Sequence, residues 1–250
     1  MIYVRFIAGG KTKHGILDRK TVCEIAPHFY GPFRKTGKKY PLAKVTLVPP
    51  CQPGKIVALG LNYLDHAREM KMPIPLQPLL FLKATSAIIG PGERIVCPAM
   101  SRRVDYEAEL AIVIKKKVKN VAVSRAQEYI LGYTCFNDVT ARDLQKIDGQ
   151  WARAKSFDTF APIGPWIVDE IDSQDLKIET RLNGKIMQNS STKELIFNCN
   201  EIVAFVSQVM TLMPGDVIAT GTPPGVGPMK ADDRVEVRIE HIGSLINTVV

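Results

Sequence analysis

The chain has 250 residues, 46% of them hydrophobic and 23% charged, and its 33 basic and 25 acidic side chains leave a formal net charge of +8. That length suits one large domain or one domain with a small appendage, and the composition is that of a globular chain with a sizeable core. Low-complexity and fibrous classes are excluded, because the 17 prolines and 18 glycines fall singly or in short motifs.

The basic clusters, Arg34 to Lys39 and Lys115 to Lys119, are not interleaved with aromatics and accompany no recognition motif. They read as solvated edges, so neither a nucleic-acid partner nor a membrane partner is expected. A basic surface also attracts small anionic substrates. The five cysteines, at 23, 51, 97, 135 and 199, form no C-x-x-C pair. They fit reduced, mostly buried thiols in a cytoplasmic protein. The first residues lack a signal-peptide layout, and no apolar run approaches the ~20 residues that cross a bilayer.

In chain order, residues 1–52 read as a small unit of short alternating strands, closed by the punctuation Pro49-Pro50-Cys51-Gln52-Pro53-Gly54. The rest, residues 53–250, reads as one larger domain. K-I-V-A-L-G is a buried strand, and Asn62 is an N-cap for a short helix from Tyr63 to Met70. P-L-L-F-L-K and E-R-I-V follow as strands, then V-D-Y-E-A-E-L-A-I-V-I. Ser124 to Gln127 fits a capping box opening a helical turn. I-L-G-Y-T-C-F-N-D is a strand leading into a helical D-V-T-A-R-D-L-Q, and Asn183-Gly184 centres a hairpin. Glu201 to Met213 has helical spacing, and strands close the chain. Strands outnumber helices without regular alternation, which predicts an α+β fold with a β-rich mixed sheet.

The segment 104–114 raises the chemical question. In a strand, Asp105, Glu107 and Glu109 share one face, yet the apolar run that follows implies burial on both faces. Carboxylates this close repel unless one is protonated or a cation sits between them. A hard divalent cation such as Mg²⁺, Mn²⁺ or Ca²⁺ takes oxygen ligands and fits the pattern. A third ligand is then wanted. Asp138 qualifies at the end of its strand, but it also fits a helix N-cap, and pattern alone leaves both roles open. His14, His28 and His241 have no acidic or cysteine neighbours at useful spacing and receive no role.

Five stretches together carry a resemblance: G-L-N-Y-L-D-H-A-R-E at 60–69, D-Y-E-A-E-L at 105–110, F-N-D-V-T-A-R-D-L-Q at 136–145, W-A-R-A-K-S-F-D-T-F at 151–160 and G-D-V-I-A-T-G-T-P-P-G-V-G at 215–227. In order and spacing the chain from Lys55 onward resembles the fumarylacetoacetate hydrolase family, and its first 50 residues resemble the small extension of bacterial and archaeal members. The resemblance implies a divalent metal on Glu107, Glu109 and Asp138, a water-activating pair in His66 and Glu69, and a homodimer. It also implies substrate contacts from Lys155 and Thr222, and from a mobile segment carrying Arg142 and Gln145.

The activity so implied is hydrolysis of a C–C bond in a small anionic 2-oxo acid with a second carbonyl, of the acylpyruvate or fumarylacetoacetate kind. Isomerisation of 2-hydroxyhepta-2,4-diene-1,7-dioate or decarboxylation of oxaloacetate would use the same residues. A non-catalytic anion or nucleic-acid binding module is the contrasting class. The acyl-side pocket is expected outside the motifs, in residues 70–76 and 147–151.

Overall fold

The computed structural model describes residues 1–250. The alternating amino-terminal segment forms an antiparallel meander of β1 (Ile2–Ala8), β2 (Lys11–Asp18), β3 (Thr21–Ala26) and β4 (Arg34–Pro41), with β5 (Thr46–Leu47) returning to β1. Val4, Phe6, Leu17 and Val22 close a small core between them. Next come β6 (Ile56–Leu59), α1 (Leu64–Met70), β7 (Leu80–Lys83), β8 (Ile88–Ile89) and β9 (Arg94–Ile95). The middle is built from β10 (Val104–Tyr106), β11 (Ala108–Ile114), β12 (Ile130–Asn137), β13 (Thr140–Ala141), α2 (Arg142–Asp148), α3 (Ala152–Lys155) and β14 (Ala161–Val168). The chain ends with β15 (Lys177–Leu182), β16 (Lys185–Ser191), α4 (Cys199–Val209), β17 (Val217–Ala219), β18 (Gly227–Met229), β19 (Arg234–Ile239) and β20 (Gly243–Val249).

The largest sheet runs β4-β3-β2-β1-β14-β12-β11-β17-β6-β7, with β5 and β8 attached off that path. Its first strands therefore continue the main sheet through the antiparallel pairing of β1 with β14 (Ile2 opposite Val168, Tyr3 opposite Ile167). A second sheet, β16-β15-β19-β20-β9, shares a core with the first, in which Leu110 and Ile112 of β11 join Ile178 of β15 and Val237 of β19. The α4 helix packs Ile202, Val203 and Val206 into the same core. Parallel pairs (β17 with β6, β14 with β8, β20 with β9) interrupt an otherwise antiparallel pattern, so the fold is α+β with mixed sheets. The Asn183-Gly184 hairpin forms as expected, both residues having positive φ as a type I′ turn requires.

Several local expectations change: the helix expected over D-V-T-A-R-D-L-Q begins only at Arg142, because Thr140–Ala141 pairs with β10, and the one expected over Glu201 to Met213 runs Cys199–Val209. Asn62 does not cap α1: Tyr63 holds the N-cap position without a side-chain bond. The Asn62 amide instead donates to Thr220 O at 2.7 Å and Phe197 O at 3.2 Å, and accepts from Phe197 N at 2.9 Å. It ties the start of α1 to two distant loops, a tertiary use that capping preference cannot foresee. Ser124 caps nothing either, since the turn there is a 3₁₀ helix over Val123–Tyr129 preceded by Ala122. Finally, segment 104–114 is not one strand. It breaks at Glu107, so β10 joins β13 and β18 while β11 enters the large sheet.

Replacing Asn62 with Ala would strip three hydrogen bonds at once, one buried and two part-buried. We expect a loss of roughly 2–4 kcal/mol, because each buried backbone group left unsatisfied costs on the order of 1–3 kcal/mol. Denaturant unfolding of the variant against wild type measures it, and an unchanged midpoint would refute the tethering role.

Candidate active site

The strand break brings the carboxylates together. At Glu107 the backbone leaves one sheet for another, and its amide donates to the Asn137 side chain at 2.9 Å in place of a ladder partner. Asp138, just past β12, donates its own amide to Glu107 O at 2.8 Å. Glu109 lies on β11 opposite Phe136. Ligand atoms of Glu107, Glu109 and Asp138 all fall within 4.8 Å of one another, and all three residues are buried. Asp138 is not the N-cap of α2, a position held by Ala141. Asp105 lies apart in β10, bonded to Arg103 and Arg142 at 2.9 Å each.

Cations surround two of the three carboxylates. Lys155 Nζ sits 2.9 Å from Glu107 Oε2 and 2.6 Å from Asp138 Oδ2, and Arg142 Nη2 bonds Glu107 Oε1. Lys83, with a fully buried side chain, reaches Asp138 Oδ1 at 2.5 Å. Sequence reading placed Lys83 only as a strand residue; a lysine closing the apolar run P-L-L-F-L was the available signal. Burial pushes the Glu107 carboxyl up, but Lys155 and Arg142 more than offset this and hold it down at about 2. Burial likewise opposes the charge on Lys155, which Asp138 and Glu107 outweigh, so its proton is held more tightly than usual.

Glu109 differs. Its carboxylate is 1% exposed and accepts only the Gly221 N–H, at 2.8 Å. Burial first, then the charges of Asp138 and Glu107, raise its proton affinity well above that of an ordinary carboxyl. A buried carboxylate without a cation, converging with two others, is a donor set that fits a hard divalent ion. The triad can hold a metal.

Around it lies a cavity of about 370 Å³. His66 opens onto it from α1, with Nδ1 2.8 Å from Glu69 Oε2. The second Glu69 oxygen accepts the Gly225 N–H at 3.2 Å. At Gly225 φ is +92° and a Cβ would stand 2.3 Å from Met187 O, so only glycine lets the loop pass this close to β16. Thr222 lines the cavity and donates to Ala108 O at 2.9 Å, while Gln188 donates to the Thr222 hydroxyl at 2.9 Å. Gln188, another residue missed in the sequence, lies in a hairpin strand with no local sign of function. Arg142 Nη1 donates to Gln145 Oε1 at 2.6 Å, and both line the cavity. Seven of the nine candidate residues line this cavity, while Asp138 lies buried behind it on Lys155 and Glu69 stands exposed beside His66. Of the residues expected on the acyl side, Met70, Met72 and Trp151 line the wall with Phe81 and Leu79, whereas Leu76 is 96% exposed.

Glu109 also couples stability to pH. Its folded form binds a proton more tightly than the unfolded chain, so stability is full below the unfolded value of ~4.3 and falls as pH rises toward the folded value. At neutral pH in chelator, Glu109→Gln should therefore raise the melting temperature, by on the order of 2–4 °C for each kcal/mol recovered. Scanning calorimetry decides it, and a lower melting temperature would refute the uncompensated charge.

The chain also matches known proteins in sequence and fold. The family model described as fumarylacetoacetate (FAA) hydrolase C-terminal matches residues 55–250, and one described as Rv2993c-like, N-terminal, matches residues 1–50. The chain is 44% identical over 223 residues to the mitochondrial oxaloacetate tautomerase FAHD2A of Bos taurus, spanning 84% of this chain and 71% of that protein. Among solved structures it resembles the 2-hydroxyhepta-2,4-diene-1,7-dioate isomerase of Mycobacterium marinum, with TM-score 0.94 and 44% identity over 100% of this chain and 98% of that one. It also resembles the maleylpyruvate hydrolase of Sphingobium sp. SYK-6 in complex with manganese (II) ion and pyruvate, with TM-score 0.84 and 31% identity over 100% and 99%. A match across the whole catalytic segment, with the expected residues gathered at one cavity, means that this chain belongs to the fumarylacetoacetate hydrolase family.

Proposed function

We propose that the protein is a divalent-metal-dependent hydrolase that cleaves a C–C bond in a small 2-oxo acid bearing a second carbonyl. The observation that carries this reading is the His66–Glu69 pair opening onto the cavity shared with Glu107, Glu109 and Thr222. Glu107, Glu109 and Asp138 would hold Mg²⁺ or Mn²⁺, which when bound supplies Lewis-acid stabilisation of developing enolate charge. With its Nδ1 hydrogen directed at Glu69, His66 presents Nε2 as an acceptor. His66 takes a proton from water, the hydroxide oxygen bonds to the distal carbonyl carbon, and the C–C bond breaks to give a carboxylate and a pyruvate enolate. Reprotonation of the enolate carbon completes the reaction. Arg142, Gln145 and Lys155 offer donors to the 2-oxo carboxylate, and Thr222 fixes the opposite wall. The apolar side formed by Met70, Met72, Phe81 and Trp151 suits the acyl substituent.

A second reading, tautomerisation of oxaloacetate or isomerisation of a 2-hydroxy-diene dioate, draws on the likeness to the bovine tautomerase and the mycobacterial isomerase. There His66 would move a proton between carbon and oxygen with no attack by water. Decarboxylation of oxaloacetate would likewise need only the enolate. Turnover of the metal-replete enzyme on acylpyruvates, oxaloacetate and ring-fission dioates separates these readings.

His66→Ala should lower hydrolysis by ~10²-fold or more, the usual scale for losing a general base, and should spare decarboxylation of oxaloacetate. Steady-state rates of both reactions on both proteins provide the comparison, and equal losses would sink the claim that His66 mainly activates water.

A homodimer is proposed as well. β7 ends the large sheet, and Ile74, Leu76, Leu79 and Leu82 stand exposed on or beside it. An apolar sheet edge of this kind is an aggregation hazard that a second copy would cover. Sedimentation should give twice 27.7 kDa; a monomer at micromolar concentration would rule the dimer out.

A further inference from the structure

A second cavity, of about 450 Å³, lies where the first strands meet the rest of the chain, lined in part by Arg5, Thr12, Cys51, Gln52, Thr85 and Ile88. It shares no lining residue with the candidate active site. Arg5, on β1, is 7% exposed, and its single hydrogen bond runs from Nη1 to Pro49 O at 2.7 Å. No carboxylate pairs with it, so most of the five donors of this guanidinium lack a protein acceptor where it lines the cavity.

The neighbours deepen the imbalance. His14 stands opposite Arg5 in the β1–β2 pair, and its Nδ1 is buried without a partner. Burial, then Arg5 and His28, push the His14 imidazole down to about 4. The Tyr30 hydroxyl nearby is also buried and unpartnered. Arg5 is the one charged side chain lining this space; the Asp216 carboxylate near Cys51 is already held by Gly54 N, Lys55 N and Lys55 Nζ, and Thr12, Gln52 and Thr85 add polar groups to the wall.

We propose that this junction binds a small oxyanion, a carboxylate or a phosphate group, on the Arg5 guanidinium. The planar fork of arginine matches either anion with paired N–H bonds, and the cavity size is that of a small-molecule site. The site would join the β1–β2 layer to the Thr85–Ile88 segment and would act apart from catalysis.

The full chain carries four histidines, which makes imidazole NMR signals a local readout. Inorganic phosphate and malonate, titrated separately, should shift the His14 signal saturably and raise its titration midpoint by about one unit, a tenfold gain in proton affinity. Response to only one of the two assigns the anion class. Arg5→Met should weaken binding at least ~10-fold, the scale of one charge-assisted contact. Gln52→Glu, on the exposed rim where folding is not at stake, should weaken it similarly by setting a fixed negative charge beside the guanidinium. The proposal is overturned if His14 stays unmoved by both anions, if chloride at equal ionic strength shifts it as much, or if both variants bind as wild type does.

Discussion

Three carboxylates buried within 4.8 Å of one another set the terms for everything around them. In a low-dielectric interior such repulsion is far larger than in water, and the chain meets it by bringing cations of its own. Lys83 comes from β7, Arg142 from α2 and Lys155 from α3, so three elements must dock before the acidic group is tolerable. They serve Glu107 and Asp138. Glu109 receives only a backbone amide, and that asymmetry is what leaves the triad with a place for an external cation.

The same placement depends on backbone devices that link the sheets. A break at Glu107 sends the chain from the three-stranded sheet into the large one, with the Asn137 side chain standing in for the lost ladder bond. Gln188 bridges β16 to the cavity wall, accepting from Ala108 N and Thr180 Oγ1 while donating to Thr222 and Pro223. Asn62 and Gly225 then fix α1 from both sides, which determines where the His66 ring opens. The general base candidate is held by contacts up to 158 residues away in sequence, so its position reports on the integrity of the whole fold.

The first strands also contribute more than an appendage, because β1 pairs with β14, the neighbour of β12, which leads into Asp138. Their junction with the rest of the chain buries Arg5 with no counter-charge. A guanidinium in that position is costly unless something offsets it, which sets this junction apart from an ordinary packed interface.

Local spacing in the sequence pointed to the acidic pair Glu107 and Glu109, whereas roles for Asp138, His66, Glu69, Lys155, Thr222, Arg142 and Gln145 came only through the family resemblance. H-x-x-E places two side chains on one helical face, and D-Y-E-A-E-L announced buried acids through the apolar run behind it. Asn183-Gly184 was likewise local, and so was the helical spacing expected over Glu201 to Met213, although the helix itself runs Cys199–Val209. Tertiary structure alone decided the uses of Asn62, Gln188 and Lys83, since a buried amide or ammonium takes whichever partners the fold brings within ~3 Å. It also decided that Asp138 meets Lys83 and Lys155 instead of capping α2. Propensity describes a residue beside its neighbours in the chain; the partner of a buried charge comes from elsewhere in the sequence, and only packing makes that choice.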